Sequence, residues 1–277
     1  MNIGFVTDST ADIPESLVQK HDIRVVPAIL NIAGKSYEDG TGITREEFYQ
    51  RLPTLPTPPT TSAPSVGSFH ERYESLLKAG ASCILSIHAA DKLSGIFNAA
   101  RLAAESFGER VRVLDSGQIS LGLGFQILAA AEAAARGAVL EEILNLVEGI
   151  RERVRVVALL DTLEYLRRSG RVSWAKAMVG GLFNLKLLVE LRYGIIERLG
   201  QARTRLQGIE RLTEALSSWG PLERLAVLHT NADAAARQLL DDVKAKVSNP
   251  PLLVNVTTAI GTHVGPNALG FVAVPAS

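Results

Sequence analysis

The sequence predicts an α/β protein of two domains, an N-terminal domain on a mainly parallel sheet and a smaller C-terminal α+β domain. Three observations lead there. Short β-branched apolar runs alternate with longer helical segments, the pattern of strands joined by helical crossovers. The two runs flanking Tyr193-Gly194 are joined by so short a turn that they must form an antiparallel hairpin, which the middle of a parallel sheet does not normally contain. A chain of 277 residues also allows two domains of about 100 to 200 residues each. The change of style places the boundary near residue 160, giving domains 1–160 and 161–277.

The first strand is read at 3–7, and Pro14 suits the first turn of a helix that follows it. A second strand is expected at 25–31. The segment from Pro53 to Pro64 holds five prolines and a run of Ser and Thr, so it can be neither helix nor central strand. It reads equally as a surface connection or a binding loop. Beyond it come a helix at 66–78, a strand at 82–87, a helix at 93–107, a strand at 111–114 and helices at 119–135 and 140–153. The C-terminal half gives strands at 154–160, 187–192 and 195–199, a helix at 203–218, a strand at 225–230, a helix at 232–246, and strands at 253–257 and 271–274.

Composition excludes several functions. With 29 Lys+Arg against 29 Asp+Glu and no block of like charge, the chain lacks the basic excess that gripping nucleic acid by its phosphates requires. The hydrophobic content of 47% against only 5% aromatic describes a core of Leu, Val, Ile and Ala, not a base-stacking platform. Cys83 is the single cysteine, which excludes an internal disulfide and a Cys-based metal cluster. The start Asn2-Ile3-Gly4-Phe5-Val6-Thr7-Asp8 is unlike a signal peptide, and no apolar run reaches the ~18 residues of a spanning helix. No integral membrane segment and a cytoplasmic location are therefore expected.

Hydroxyl groups collect where strands end. Asp8-Ser9-Thr10-Ala11-Asp12 follows the first strand, where an open α/β sheet places its ligand, although Thr10 or Asp12 would equally cap the next helix. Thr60-Thr61-Ser62-Ala63-Pro64-Ser65 and Ser94-Gly95 each stand at a helix entrance, a natural seat for a carboxylate or phosphate, with N-capping by Ser62 or Ser65 as the plainer reading. Asp115-Ser116-Gly117-Gln118 is a third such cluster. Ser94 lacks a nucleophile elbow and an obvious base. Gly122-Leu123-Gly124 is no dinucleotide fingerprint, because the required third glycine is Ile127. Arg167, Arg168 and Arg171 read first as a solvated run; alternatively, with Gly170 offering a turn and an apolar stretch after Arg171, one Arg is held near the domain junction, where a carboxylate finds bidentate donors. His263, in a Gly-Pro loop, is either structural or a group for proton or phosphate transfer.

Taken in order, Thr7 to Pro14, Thr61 to Ser65, Leu93 to Ala100, Val113 to Ser116, Leu166 to Ser173 and His263 to Gly270 make the whole chain resemble the DegV family. This bacterial fatty-acid-binding family includes the acyl-carrying B subunit of fatty acid kinase. The resemblance implies a long-chain fatty acid as ligand, buried in an apolar tunnel near the domain interface, with no cofactor of the chain's own. It further implies that Thr61, Ser62, Ser94 and the Gly95 N–H hold the carboxylate. Arg171 and His263 would serve the phosphate or the partner, a separate ATP-binding fatty acid kinase subunit that forms the acyl phosphate. Each buried methylene contributes about 0.8 kcal/mol, so a sixteen-carbon tail gains on the order of 10 kcal/mol before ordering costs. Ala63 replaces an expected glutamine, Ile96-Phe97 a Thr-Tyr pair, Asn267 a glycine and Leu187 a proline. These departures bear on acyl selectivity more than on ligand class. The alternatives are a stand-alone metal-dependent phosphotransferase using Asp8 or Asp12, and a lipid buffer or sensor without a kinase.

Overall fold

A computed structural model describes residues 2–177 and 185–276 of the chain. In order, its first elements are β1 (Ile3–Asp8), α1 (Glu15–Lys20), β2 (Ile23–Val26), β3 (Ile29–Ile32), β4 (Lys35–Glu38), α2 (Arg45–Arg51) and β5 (Thr60–Ser62). There follow α3 (Val66–Lys78), β6 (Cys83–His88), α4 (Ile96–Ala104), β7 (Val111–Asp115), α5 (Leu121–Ala135) and α6 (Leu140–Arg153). The C-terminal half contains β8 (Arg155–Leu160), α7 (Glu164–Ser169), α8 (Ser173–Ala177), β9 (Lys186–Arg192), β10 (Ile195–Ala202) and α9 (Arg205–Ser217). It closes with β11 (Leu222–His229), α10 (Asp233–Val243), β12 (Leu252–Asn255), α11 (Thr258–Val264) and β13 (Leu269–Pro275).

The chain divides into two compact units that interleave in sequence. One takes the residues up to Ile29 together with Thr61–Arg153; the other takes Leu30–Thr60 together with the chain from Val154 onward. A single cut near 160 had assigned 30–60 to the first domain and made the second the smaller. Packing assigns that segment to the second unit, which is the larger.

The first unit holds a four-stranded sheet in the order β2-β1-β6-β7, parallel throughout. Every residue of β1 and β6 is buried, so both faces of the sheet's centre are covered, as parallel strands require. Helices α3 and α4 pack together, α5 pairs with α6, and α5 also packs on β1 and β6. Helix α5 is apolar nearly all round because it is enclosed: twelve of its residues are buried, Gly124 among them. A Cβ at Gly124 would stand 2.6 Å from the Ala11 carbonyl oxygen, so this glycine brings the helix against the turn after β1.

The second unit carries a mixed six-stranded sheet, β10-β9-β8-β13-β11-β12, in which only β11 and β12 run parallel. The expected hairpin is β9-β10. Its turn residues Tyr193 and Gly194 have φ of +50° and +72°, the sign that a two-residue primed turn demands at both positions. Helices α9 and α10 bury Leu212, Leu216 and Leu239 with the sheet residues Val157, Leu159, Val227 and Phe271. Leu163, Leu166 and Val172, from α7 and the residues flanking it, form another cluster with Leu160, Leu187 and Val189. The excursion 30–60 makes a third around Leu30, Ile32, Phe48, Tyr49 and Leu52.

Several expectations are corrected. The strand expected at 25–31 is two strands, β2 and β3, interrupted at Pro27-Ala28. The proline-rich segment ends in a short strand, β5, at the edge of a three-stranded sheet β4-β3-β5, in keeping with its exclusion from a central strand. Helices α2, α7, α8 and α11 had no counterpart in the sequence reading, nor did β4.

Two glycines separate packing from propensity. Gly124→Ala is expected to lower stability by about 1–3 kcal/mol, because the new methyl meets backbone that cannot yield. Gly149→Ala on α6, with nothing within 4 Å of its Cβ position, is expected to raise stability by about 0.5–1 kcal/mol. Urea denaturation reads both; a neutral Gly124→Ala would refute the close approach.

Candidate functional site

Because the strands of the first unit are parallel, they all end on one edge, and the polar residues that follow them gather there. Asp8 closes β1, His88 closes β6 and Asp115 closes β7, with His88 and Asp115 paired in register. Ser94 and Gly95 lie at the end of the β6-to-α4 loop. Gly95 stands at the N-cap of α4, exposed, and the Ser94 hydroxyl lies 3.4 Å from the Ile96 N–H. The first turn of α4 carries no acidic side chain, leaving the positive end of its dipole uncompensated by the helix itself. The nearest atom to a Cβ built on Gly95 is Ala63 Cβ, at 3.9 Å. Ala63 is therefore brought beside Gly95; of the hydroxyl residues next to them in sequence, Thr61 and Ser94 are half-buried and Ser62 is exposed.

The capping alternatives resolve differently from residue to residue. Ser65 is the N-cap of α3, its hydroxyl accepting the Ser68 N–H at 3.0 Å, so neither Thr61 nor Ser62 holds that position. Neither Thr10 nor Asp12 caps α1, whose N-cap is Pro14. Asp12, at φ +56°, accepts the Ser120 hydroxyl at 2.6 Å, and Asp8 accepts the Thr10 N–H at 3.0 Å and the Ala89 N–H at 3.1 Å. Both carboxylates are buried and occupied by these bonds, so neither presents itself to a phosphorylated substrate. Asp115 shapes its own turn, accepting the Gly117 N–H at 2.8 Å.

In the second unit a cleft of about 560 Å³ contains Arg171 and His263 together. One wall is the proline-rich segment, through Pro53, Pro56, Pro58 and Pro59, and continues to Thr60, the residue before Thr61. The opposite side is made by Tyr165 and Arg168 of α7 and by Thr262 of α11. The sequence reading missed Tyr165 and Thr262, and no local motif marks them.

His263 lies in the last turn of α11 and not in a loop. That helix is short and rich in β-branched residues and glycine, so tertiary contacts must hold it. Asp39 accepts the Thr258 N–H at 3.1 Å and its hydroxyl at 2.6 Å. Tyr49 donates to the Val256 carbonyl at 3.0 Å, and its ring fills the space where a side chain at Gly261 would begin. Gly265, at φ +79°, lets the chain leave the helix against the ring of Tyr165.

Arg171 follows Gly170, whose left-handed φ of +70° ends α7, and its guanidinium donates to the Ser169 carbonyl at 2.6 Å. Arg168 is paired with Glu164. Burial, and then the positive charge of Arg171, push the pKa of His263 down to about 4, so its imidazole is neutral at neutral pH. A fixed cation beside a neutral imidazole makes a seat for an anion. Among the described residues no group of His, Cys, Asp and Glu has a metal-holding arrangement, and no helix is long and apolar enough to cross a membrane.

Over residues 2–276 the chain matches the sequence model of a family described as "Uncharacterised protein, DegV family". A DegV domain-containing protein of Streptomyces coelicolor is 36% identical over 275 residues, covering 98% of each chain. Among solved structures, a DegV family protein from Thermus thermophilus, described as binding fatty acid, matches with a TM-score of 0.91 and 35% identity over 100% of both chains. DegV of Bacillus subtilis, described as a fatty acid binding protein, matches with a TM-score of 0.87 and 31% identity, again over 100% of both.

The state of His263 has a measurable consequence. Between pH 6.5, where an ordinary histidine takes its proton, and about 4, where His263 does, the unfolded chain binds a proton that the folded chain refuses. This residue's contribution is therefore fully present above pH 6.5 and lost as pH falls towards 4. Substituting His263→Asn is expected to flatten the stability profile across that window in denaturant titrations. Parallel profiles for the two proteins would contradict a buried neutral imidazole.

Proposed function

The chain belongs to the DegV family, and on that premise we propose that it binds one long-chain fatty acid and presents its carboxylate for phosphorylation by a separate ATP-binding kinase subunit. The observation that carries the reading is the whole-chain likeness to two structures described as fatty-acid-binding. The adjacency of Ala63 and Gly95, each next in sequence to a candidate hydroxyl residue, Ser62 and Ser94, supports it chemically. A carboxylate leaving water needs several short hydrogen bonds, and Thr61, Ser62, Ser94 and the Gly95 N–H supply hydroxyl and amide donors at a helix entrance.

Arg171 and His263 serve the phosphorylated end. A fatty carboxylate is already ionised at neutral pH, so its attack on the γ-phosphorus of ATP needs no base. The new carboxylate–phosphorus bond forms as the bond to ADP breaks, and the acyl phosphate remains. Arg171 compensates charge on the transferred group. His263, neutral, donates a hydrogen bond without adding a second positive charge. ATP enters with the partner, since the chain has neither a P-loop nor a dinucleotide fingerprint.

Mass spectrometry of extracts from the purified protein tests the ligand; an empty protein that also fails to take up palmitate or oleate would overturn the reading. Thr61→Ala and Ser94→Ala are expected to weaken palmitate binding roughly tenfold each, the loss of one hydrogen bond to a charged group. Arg171→Ala and His263→Ala are expected to leave palmitate affinity intact while slowing acyl phosphate formation with the kinase subunit. A uniform loss of affinity in all four variants would refute this division of roles.

A further inference from the structure

Four side chains deep in the first unit form one unbroken hydrogen-bonded chain. Asp8, His88, Ser86 and Tyr73 are each fully buried. Asp8 Oδ2 lies 3.0 Å from His88 Nδ1, His88 Nε2 lies 2.6 Å from Ser86 Oγ, and Ser86 Oγ lies 2.9 Å from the Tyr73 hydroxyl. At one end Asp8 is an acceptor throughout, so His88 Nδ1–H donates to it. At the other end the Ser86 and Tyr73 hydroxyls can each donate to the other, and the Tyr73 hydroxyl, whose pKa burial pushes up to about 12, also lies 3.5 Å from the Ala100 carbonyl oxygen. Asp8 also takes the N–H groups of Thr10 and Ala89 and the Thr10 hydroxyl.

The order Asp-His-Ser suggests a hydrolytic triad, but Ser86 sits inside a buried strand with its hydroxyl bonded to both His88 and Tyr73. No substrate carbonyl can reach it. The placement of the four residues points elsewhere. Tyr73 lies on α3, the helix that begins directly after Thr61–Ser65. Ser86 and His88 lie on β6, whose exit loop begins at Ala89 and ends at Ser94-Gly95. Asp8 ends β1 and holds both His88 and Ala89. Phe69, one turn before Tyr73, sets its ring edge-on to the His88 imidazole with centroids 5.0 Å apart. One polar chain thus joins the helix that follows one half of the carboxylate clamp to the strand that precedes the other.

We propose that Tyr73, Ser86, His88 and Asp8 are positioning residues that fix Thr61-Ser62 against Ser94-Gly95. This rests on the fatty-acid reading above. Because every member is buried, a lost partner leaves its neighbour's polar atom unsatisfied, and the elements that carry the clamp adjust.

The test is palmitate titration by calorimetry on the full chain, with melting temperature measured in parallel. Tyr73→Phe removes one oxygen and keeps the ring; Ser86→Ala breaks the chain at its centre. Ile150→Val, a buried α6 residue away from the chain, supplies a destabilised control. Both chain variants are expected to bind palmitate roughly tenfold more weakly, with the control within twofold of wild type. In the wild type, the His88 Nδ1 proton resonance is expected to move when palmitate is added. If wild type binds palmitate while Tyr73→Phe binds within twofold of it, or weakens no more than the control, the positioning role is overturned and the fatty-acid reading stands. An unmoved His88 resonance in a palmitate-bound protein overturns it as well. If wild type binds no palmitate, the fatty-acid reading falls first. Should Ser86→Ala fail to fold, Tyr73→Phe and the wild-type resonance decide.

Discussion

A carboxylate with no exposed surface has to find all its stabilisation in the donors around it, because leaving a buried charge uncompensated costs several kcal/mol. Asp8 meets that demand with two backbone N–H groups, a hydroxyl and an imidazole. Its donors come from the turn after β1 and from the end of β6, so the ends of two neighbouring strands are fixed to one point. Asp12 repeats the device by holding Ser120 at the entrance to α5. In the second unit Asp39 does the same for the first residue of α11. Each of the three candidate anion contacts that depend on loop or helix ends, at Ser94, Gly95 and His263, follows a segment held by a buried aspartate.

The legible parts of the fold were those decided by local pattern. Strands β1 and β6 read as continuous apolar runs because both faces are covered, and the β9-β10 hairpin is announced by its turn. Helix α11 was not legible, since Thr258, Ile260, Thr262 and Val264 are β-branched and Gly261 weakens any helical signal. Besides the Thr257 N-cap, it is held by Asp39 and Tyr49, some two hundred residues earlier. The interleaving of the units was hidden for the same reason, because no composition change marks the passage from Ile29 to Leu30 or from Thr60 to Thr61.

At the candidate site, the hydroxyl clusters after strands were visible because parallel strands must end together. Arg171 and His263 were singled out by resemblance and not by spacing; both line one cleft. The proline-rich segment had been left between surface connection and binding loop. Four of its prolines line that cleft, where their fixed backbone makes a wall that needs no side-chain hydrogen bonds to hold its shape. The pairing of Asp8 with His88 spans 80 residues, and nothing in either neighbourhood advertises it.

The excursion of residues 30–60 into the second unit also sets an order of assembly. Leu30, Ile32, Ile43, Phe48, Tyr49 and Leu52 are buried together there, and Asp39 waits for Thr258, 219 residues further along. At the usual pace of ribosomal synthesis that interval lasts on the order of tens of seconds. The excursion's apolar residues pack mainly on one another, but the polar groups of Asp39 and Tyr49 meet their partners at Thr258 and Val256 only after the whole of the first unit has been made. The first unit can close early around its parallel sheet, whereas the second is completed only when strands and helices more than two hundred residues apart in sequence are both present.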